Sequence, residues 1–297
     1  MIIVSLFGGL GNQMFQYAAA KALALKYGYK LKMDVSLLQD RTPKSGFTYR
    51  DYELNIFQID DEIASVKEVK QFVPDLWHSP EYLKQFYKLR RLFTGKHLYR
   101  EQAFFQYNIA FDKMPDNTFL YGYFQTEKYF LGQESILRKS FALKAKLDEE
   151  NLRLITELEK ENSISVHIRR GDYANSDFEM LTADMYYIPA IEQILSKIPD
   201  AKFYFFTNDL DWTRQTFNGL DIDKKFITHN SGSNSFKDMI LMSHCKHNII
   251  ANSSFSWWGA WLNAHPEKTV IAPTNWYKSG RYVGKTGDLI PASWIRI

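Results

Sequence analysis

The chain has 297 residues, 45% hydrophobic and 24% charged, which is long enough for two domains and ordinary for a soluble globular protein. Its formal net charge of +3 is too small to indicate a nucleic-acid-binding surface, and its single cysteine excludes an intrachain disulfide framework. No run approaches the roughly 18 apolar residues of a membrane span. Residues 1–7 are apolar but lead directly into glycine, without the basic region of a signal peptide, so we expect a cytoplasmic protein.

The chain opens with a strand–turn–helix–strand pattern. Residues 2–7 are a β-prone apolar run, residues 8–12 are rich in glycine, residues 13–27 have apolar positions at helical spacing, and residues 30–35 are again β-prone. Gly28 stands where a helix C-cap is expected. This order is typical of the start of a doubly wound α/β sheet.

The glycine-rich turn partly matches the fingerprint of dinucleotide-binding proteins. Gly9 and Gly11 have the required spacing and Asp34 ends the second predicted strand, but Met14 occupies the position of the third small residue. A nicotinamide cofactor is therefore the less favoured interpretation. Two others stay open: a bare backbone that admits a substrate beside the helix N–H groups, and glycines that serve turn geometry alone.

Residues 40–135 are difficult to assign to regular elements because aromatic side chains are dense there. Aromatic rings stack on the C–H faces of sugars, so the region indicates a surface for an acceptor sugar, although a core position is the more common role for any one ring. Gly122 interrupts a β-prone run near an expected cleft. The aromatic residues are Phe47, Tyr49, Tyr52, Phe57, Phe72, Trp77, Tyr82, Phe86, Tyr87, Phe104, Phe105, Tyr107, Tyr121, Tyr123, Phe124 and Tyr129.

Residues 148–161 are predicted to form a charged amphipathic helix at the domain boundary, which divides the chain into residues 1–150 and 151–297. Strands and helices alternate after it, as in a second Rossmann-like domain. The predicted strands cover 164–168, 202–207, 225–228, 248–251 and 269–272, and the predicted helices cover 182–197, a short segment from Asp211, 235–243 and 254–264. Pro189 is expected to kink the first of these helices.

The sharpest signal is a predicted strand, residues 164–168, that runs into Arg169, Arg170, Gly171 and Asp172. Open α/β sheets bind ligands at the carboxyl ends of their strands. A guanidinium is permanently charged and its planar fork fits phosphate oxygens in pairs, while glycine allows a sharp turn beside the ligand. The alternative is a surface ion pair between Arg170 and Asp172. We favour a phosphate-binding site.

Two further strand ends lie at the same predicted edge. Asn208 follows the strand at 202–207, and residues 252–259 lead from a strand into a helix, where N–H and O–H groups can meet an anion at the positive helix end. The ligand contacts favoured there are Ser253, Ser254 and Phe255. The two tryptophans that follow, Trp257 and Trp258, are expected in the core.

Two patterns match metal sites only formally. Asp209 and Asp211 form D-x-D, but a turn residue and a helix cap are the more common roles. His244, Cys245 and His247 lack a second set of ligands and favour a structural role. We expect no metal, because two arginines can supply the positive charge that a diphosphate leaving group needs.

Three stretches together resemble glycosyltransferase family 11, the α-1,2-fucosyltransferases. They read GGLGNQMFQYA at 8–18, VHIRRGDY at 166–173 and SSFSWWGAWL at 253–262, and they span nearly the whole chain in the family's order. The resemblance implies an α/β fold of the GT-B type, with two Rossmann-like domains facing each other across a cleft. It implies inverting transfer of fucose from GDP-β-L-fucose, bound by the C-terminal domain, to the 2-hydroxyl of a terminal galactose on the N-terminal, acceptor side, without metal or cofactor.

The resemblance also assigns residues. One of Arg169 and Arg170 would hold the departing diphosphate and the other the loop or Asp172, since successive strand residues point to opposite faces. Asp238 would contact guanine, and Asn12 would face the donor sugar and the acceptor. The remaining donor contacts would be Gly9, Gly11, His167, Asn208, Ser253, Ser254 and Phe255. Asp172 is the best candidate for a general base, although a highly dissociative transition state would need none.

Three other functions stay open: a transferase for another nucleotide sugar, a nicotinamide-dependent oxidoreductase, and a non-catalytic carbohydrate-binding protein that uses the aromatic region. The partners implied are GDP-fucose and a galactose-terminated glycan, with no nucleic acid. The sequence lacks the N-terminal anchor of animal members. We therefore expect a bacterial-type enzyme in the cytoplasm, associated with the inner face of the membrane where its acceptor is lipid-linked.

Overall fold

The computed structural model describes residues 1–42, 49–73, 94–170, 181–278 and 286–297. The chain divides into two compact units, Met1–Ala145 and Lys146–Ile297, and each is built on its own parallel sheet. The sequence placed the domain boundary at residue 150, which lies inside a helix of the second unit, Glu149–Lys160.

The first unit is a five-stranded parallel sheet. Its strands are β1 (Ile2–Ser5), β2 (Leu31–Asp34), β3 (Glu62–Ile63), β4 (His97–Arg100) and β5 (Thr118–Tyr121), in the spatial order β3-β2-β1-β5-β4. The α-helices among the described residues of this unit are α1 (Leu10–Tyr27), α2 (Ser36–Gln39), α3 (Val66–Phe72) and α4 (Glu134–Ser140). The strand order reverses between β1 and β5, and ligands of open α/β sheets bind at such a switch point.

Helix α1 begins three residues earlier than the sequence predicted. Gly9 is its extended N-cap residue, and the N–H groups of Asn12 and Gln13 both donate to the Gly9 carbonyl, at 2.9 and 3.1 Å. Gly11 and Asn12 therefore belong to the first helical turn and not to a separate loop. The helix ends as predicted at Gly28, which has a left-handed φ of 69°. Glycine adopts this conformation without steric cost because it has no Cβ.

The second unit is a six-stranded parallel sheet. Its strands are β6 (Ser163–Ile168), β7 (Lys202–Thr207), β8 (Asp223–Ile227), β9 (His247–Ile249), β10 (Val270–Ala272) and β11 (Ile295–Arg296), in the order β11-β10-β9-β6-β7-β8. The α-helices are α5 (Glu149–Lys160), α6 (Ile188–Leu195), α7 (Leu210–Phe217), α8 (Phe236–His244) and α9 (Ser254–Leu262). The switch point of this sheet lies between β6 and β9.

The helix predicted at 182–197 is interrupted where proline was expected to disturb it. Thr182 caps a π-helical turn, Ala183–Tyr187, and α6 starts directly after it with Pro189 in its first turn. Proline has no N–H for the bond to the fourth preceding carbonyl, and the N–H of Tyr187 instead reaches back five residues to Thr182. In place of the single kinked helix that was predicted, a π turn precedes Pro189 and α6 follows that turn directly.

Helices α8 and α9 pack closely against each other because Gly259 has no side chain. A Cβ at this position would lie 3.0 Å from the Met242 Cβ. We expect Gly259→Val to lower the free energy of unfolding by about 1–3 kcal/mol through overpacking. Thermal unfolding checks this, with Gly219→Val as the control because a Cβ at Gly219 meets nothing within 4 Å. Equal unfolding temperatures of the two variants would contradict the packing argument.

The predicted α/β fold class is confirmed: the chain has two Rossmann-like units, as expected for the GT-B type, and each is built on its own parallel sheet. The strands of the second unit lie within two residues of the predicted limits, and β7 matches them. The last strand, β11, was not predicted. In the first unit, β3, β4 and β5 all fall in the aromatic region, residues 40–135, that the sequence left unassigned.

Candidate functional site

The carboxyl edge of the second sheet brings together the side chains that sequence reasoning singled out. Arg169 and Arg170 follow β6, Asn208 follows β7, and Ser253 follows β9. All these strands are parallel, so their carboxyl ends share one edge, and β6 and β9 flank the switch point. Gly171, Asp172 and Tyr173 lie outside the described residues.

Arg170 holds the loop that follows β7. Its backbone N–H donates to the Asn208 side-chain oxygen at 2.9 Å, and its Nε–H donates to Asp209 Oδ2 at 3.3 Å. Its guanidinium carbon lies 4.2 Å from the centre of the Trp212 ring, a cation–π contact. Both the charge and the planar face of Arg170 are thus engaged by the protein in this structure.

Asp209 caps helix α7, because its Oδ1 accepts the Trp212 N–H at 3.2 Å. Its other oxygen accepts from Arg170, and Asp211 is exposed in the first turn of the helix. Within the described part of the chain, no group of three or more His, Cys, Asp or Glu side chains is arranged to hold a metal ion. Cys245 is buried, and His244 contacts Glu159 at 2.8 Å.

His167 lies near the end of β6, and Arg169 directly follows this strand. His167 is 5% exposed, and burial, with a smaller effect from the charge of Arg169, lowers the pKa of His167 to about 3. The imidazole is therefore neutral at physiological pH. Its Nδ1 meets no hydrogen-bonding atom among the described residues, and its ring lies 5.7 Å from the Phe255 ring. Arg169 Nε is buried beside it. The Arg169 guanidinium, which is permanently charged, and the neutral His167 imidazole, which can donate or accept a hydrogen bond, thus lie beside the switch point between β6 and β9.

The N-terminus of α9 faces the same edge. Ser253 is its N-cap, and the Ser253 hydroxyl accepts the Phe255 N–H at 3.3 Å. Ser254 and Phe255 are partly exposed, whereas Trp257 and Trp258 are fully buried. The core role expected for these tryptophans is confirmed. Helix α9 has nine residues, and its first turn concentrates positive potential at this edge.

Asp238 lies in the first turn of α8, which begins at the same edge after β8. Burial raises the pKa of Asp238 to about 7, against the opposing effect of a 2.9 Å hydrogen bond from the Asn230 amide. Asn230 and the buried Asn151 exchange amide hydrogen bonds, at 2.9 and 3.1 Å. This network fixes the orientation of the Asp238 carboxyl.

Titratable side chains next to this network contact Asn151 or pair with each other. Lys237 forms an ion pair with Asp148 at 2.8 Å, and His229 Nε2 lies 3.0 Å from the Asn151 side-chain oxygen. Asp148 also caps α5 by accepting the Asn151 N–H. Neither Asn151 nor Asn230 was singled out from the sequence, because their partner is distant in the chain.

In the first unit, the glycine-rich turn is organised by amide side chains. The Gln13 side-chain nitrogen donates to the carbonyls of Gly8 and Asp51, at 2.9 and 2.8 Å, and its oxygen accepts the Glu53 N–H at 3.0 Å. Asn12 accepts a 2.9 Å hydrogen bond from Gln125. Sequence reasoning missed these glutamines.

Asp34 serves the protein itself, since it accepts the Ser36 N–H at 3.0 Å and the Ser5 hydroxyl at 3.4 Å. This is the acidic position of the dinucleotide fingerprint, where the carboxylate would hold a ribose. Gly9 has open space where a Cβ would stand, whereas Gly11 is buried in the first turn of α1.

Gly8 is the glycine that this turn requires. It has a φ of +77°, and a Cβ would lie 2.6 Å from the Asn12 side-chain nitrogen. We expect Gly8→Ala to lower the free energy of unfolding by about 1–3 kcal/mol, because strain and a displaced Asn12 act together. Gly9→Ala is the neighbouring control, since Gly9 is extended and open. A Gly8→Ala variant as stable as Gly9→Ala in thermal unfolding would overturn this account.

No helix in the described ranges has the length and apolar character needed to cross a membrane.

A family model and several known proteins match this chain over most or all of its length. The model of glycosyl transferase family 11 matches residues 1–297. An alpha-1,2-colitosyltransferase of Escherichia coli is 33% identical over 305 residues, which cover 100% of this chain and 99% of the relative. The O-antigen biosynthesis glycosyltransferase WbnK of Escherichia coli is 33% identical over 98% of this chain and 99% of its own. Galactoside alpha-(1,2)-fucosyltransferase 2 of Rattus norvegicus is 24% identical over 88% of this chain and 67% of its own. The chain belongs to glycosyl transferase family 11.

Proposed function

We propose that the chain transfers L-fucose from GDP-β-L-fucose to the 2-hydroxyl of a terminal galactose, with inversion at the anomeric carbon and without a metal. The observation that carries the proposal is the edge between β6 and β9, where Arg169, the neutral His167 and the start of α9 converge. A permanent cation and a helix N-terminus suit a diphosphate. Similarity to a galactoside alpha-(1,2)-fucosyltransferase supports the donor and the linkage.

In the proposed reaction, the acceptor 2-hydroxyl attacks C1 of fucose from the face opposite GDP. The new C1–O bond forms as the bond from C1 to the diphosphate oxygen breaks, and negative charge grows on GDP. Arg169 and the first turn of α9 would stabilise that charge, which is the largest contribution that the protein can make. The hydroxyl proton would pass to Asp172, the carboxylate nearest to the motif in sequence.

A second donor is favoured by one comparison. The 33% identical relative is an alpha-1,2-colitosyltransferase, and colitose is fucose without its 3-hydroxyl. A site that hydrogen-bonds the 3-hydroxyl rejects the deoxy sugar by about 10⁴-fold or more, whereas a site that does not discriminates weakly. Turnover with the two GDP sugars at equal concentration would identify the donor, and faster transfer of colitose would replace fucose in the proposal.

The first test of the proposal is thermal unfolding and turnover with GDP-fucose, UDP-galactose and NAD, each with and without EDTA. A ligand at 100 times its Kd adds about 2.7 kcal/mol of apparent stability. We expect stabilisation by GDP-fucose alone, and EDTA-insensitive transfer to a β-galactoside. Stabilisation by NAD, or no response to GDP and GDP-fucose, would refute the proposal. Galactoside binding without any nucleotide response would favour a carbohydrate-binding protein.

We propose a cytoplasmic enzyme that meets the membrane only through a lipid-linked acceptor. A relative is named for O-antigen biosynthesis, which supports a glycan assembled inside the cell. Cell fractionation tests this: the protein should move from the membrane fraction to the soluble one when acceptor synthesis is blocked. Retention in the membrane fraction would contradict it.

A further inference from the structure

The carboxyl edge of the first sheet carries a cluster of partly exposed aromatic rings. Phe7 follows β1, Tyr121 ends β5, Tyr123 follows β5, and Phe104 lies beyond β4. The Phe7 ring stacks on Tyr121 at 5.0 Å and meets Tyr123 edge-on at 4.8 Å. Phe104 meets Tyr123 at 5.5 Å. These four residues, which we call the ring cluster, come from three neighbouring strands at the switch point.

Polar groups follow the same strands at this edge of the sheet. The amides of Asn12 and Gln125 are joined by their 2.9 Å hydrogen bond, and the bare backbone of Gly9 leaves open space. The Glu101 carboxylate lies next to Gly122. An apolar face with a few fixed polar groups is the usual composition of a small-molecule site. A core cluster would be fully buried, as the neighbouring Phe124 is.

The segment that carries Tyr123 is held in a strained conformation. Phe124 has a φ of +53°, which is uncommon for a residue with a side chain. The Glu101 carboxylate accepts the N–H groups of Tyr123 and Phe124, at 2.7 and 3.1 Å. At Gly122, a Cβ would lie 2.4 Å from the Glu101 Cβ. Strained backbone that is held in place by surrounding contacts occurs mainly at binding and active sites. We therefore interpret this segment as one that presents Tyr123 and Gln125 to a ligand.

We propose that the ring cluster binds the galactose ring of the acceptor, an inference that rests on the proposed function. Galactose has an axial 4-hydroxyl, so the C–H bonds at C3, C4 and C5 form a continuous apolar patch on one face. That patch matches a partly exposed aromatic ring, and the hydroxyl groups match the amides of Asn12 and Gln125. Tyr123 supplies the ring, and Glu101 is a positioning residue for the segment that carries it.

Acceptor kinetics of Tyr123→Ala test the assignment. We expect the KM for a β-galactoside to rise about tenfold, the loss that corresponds to one aromatic contact. The Kd for GDP and the slow hydrolysis of GDP-fucose without acceptor should not change. Tyr123→Phe keeps the ring and should restore the acceptor KM. An unchanged acceptor KM in Tyr123→Ala, or an equal loss in donor binding, would overturn the inference.

Tyr27→Ala is the matched control. Tyr27 is 43% exposed and its ring also stacks on a neighbour, Tyr29, at 5.4 Å. It lies at the end of α1, at the opposite edge of the same sheet. We expect Tyr27→Ala to leave the acceptor KM unchanged. An equal rise in both variants would indicate a general loss of stability and would refute the specific site.

Ligand-detected NMR separates this inference from the proposed function. Saturation transfer from the protein to a β-galactoside needs no donor and no turnover. Transfer in the wild-type protein that disappears in Tyr123→Ala supports the site even if the donor proves to be another sugar. Equal transfer to the galactoside from both proteins refutes the site even if fucose transfer is confirmed.

Discussion

Replacing Arg169 with alanine is expected to lower kcat for sugar transfer by about 10²–10³-fold, the loss found when one preorganised stabiliser of developing charge is removed. The two adjacent arginines have different surroundings. Arg170 is held by Asp209 and Trp212, so its guanidinium serves the loop after β7. Arg169 lies close enough to the buried His167 to lower its pKa. The His167 ring in turn lies 5.7 Å from the ring of Phe255, which is in the first turn of α9.

The comparison with Arg170→Ala makes this prediction specific. Loss of Arg170 should release the Asp209 cap and lower the unfolding temperature, with a smaller fall in kcat than Arg169→Ala causes. Arg169→Lys keeps the charge without the planar fork, so it should recover only part of the rate. Arg214→Ala on α7 is a control at an exposed arginine. A folded Arg169→Ala variant with wild-type kcat would refute the phosphate role.

The second sheet shows what the sequence alone could predict. Strands β6 and β7 are buried along nearly their whole length. The sequence of β7 is a continuous apolar run between two polar residues, whereas β6 alternates apolar residues with Ser163, Ser165 and His167 and is followed by two arginines. The chemistry-bearing residues follow directly, and parallel strands bring their ends to one edge. In the first unit, β4 is only four residues long and largely exposed, and its burial pattern has no regular alternation. Its pairing with β5 depends on contacts that no local pattern encodes.

The contacts inside the site were beyond prediction for the same reason. The sequence offered Gly9 and Gly11 as the important glycines, but the left-handed backbone and the close approach to Asn12 are both at Gly8. Asn12 is fixed by Gln125, 113 positions away. Two adjacent arginines look equivalent in sequence, and only the position of Asp209 and Trp212 distinguishes them.

Substituting asparagine for Asp238 is expected to weaken GDP binding by about 10–100-fold. Guanine presents two N–H donors on one edge, and a hydrogen bond to a charged group contributes about 1.5–3 kcal/mol. Inosine diphosphate, IDP, lacks the 2-amino group and offers one donor fewer. The wild-type protein should therefore prefer GDP to IDP, and Asp238→Asn should lose most of that preference in calorimetric titrations. Asp223→Asn, at an exposed position on β8, is the control.

The pH dependence of GDP binding follows from the same carboxyl group. Its pKa is raised to about 7, so the free protein must release a proton before the carboxylate can accept both guanine donors. The Kd for GDP should rise about tenfold for each pH unit below 7 and be constant above it. The sign for folding is opposite: the folded state keeps a proton that the unfolded state releases near pH 4. The contribution of Asp238 to the stability of the free protein should therefore fall as the pH rises from about 4 to about 7.

Asn230→Ala tests the same site without changing its charge. It removes the 2.9 Å hydrogen bond that favours the ionised carboxyl and the link to Asn151, so the pKa of Asp238 should rise further. The pH at which GDP binding weakens should move upward, and the preference for GDP over IDP should shrink. An Asn230→Ala variant with a wild-type pH profile and a wild-type preference would place the guanine elsewhere on this edge. A wild-type protein that binds GDP and IDP equally would exclude Asp238 as the residue that reads the base.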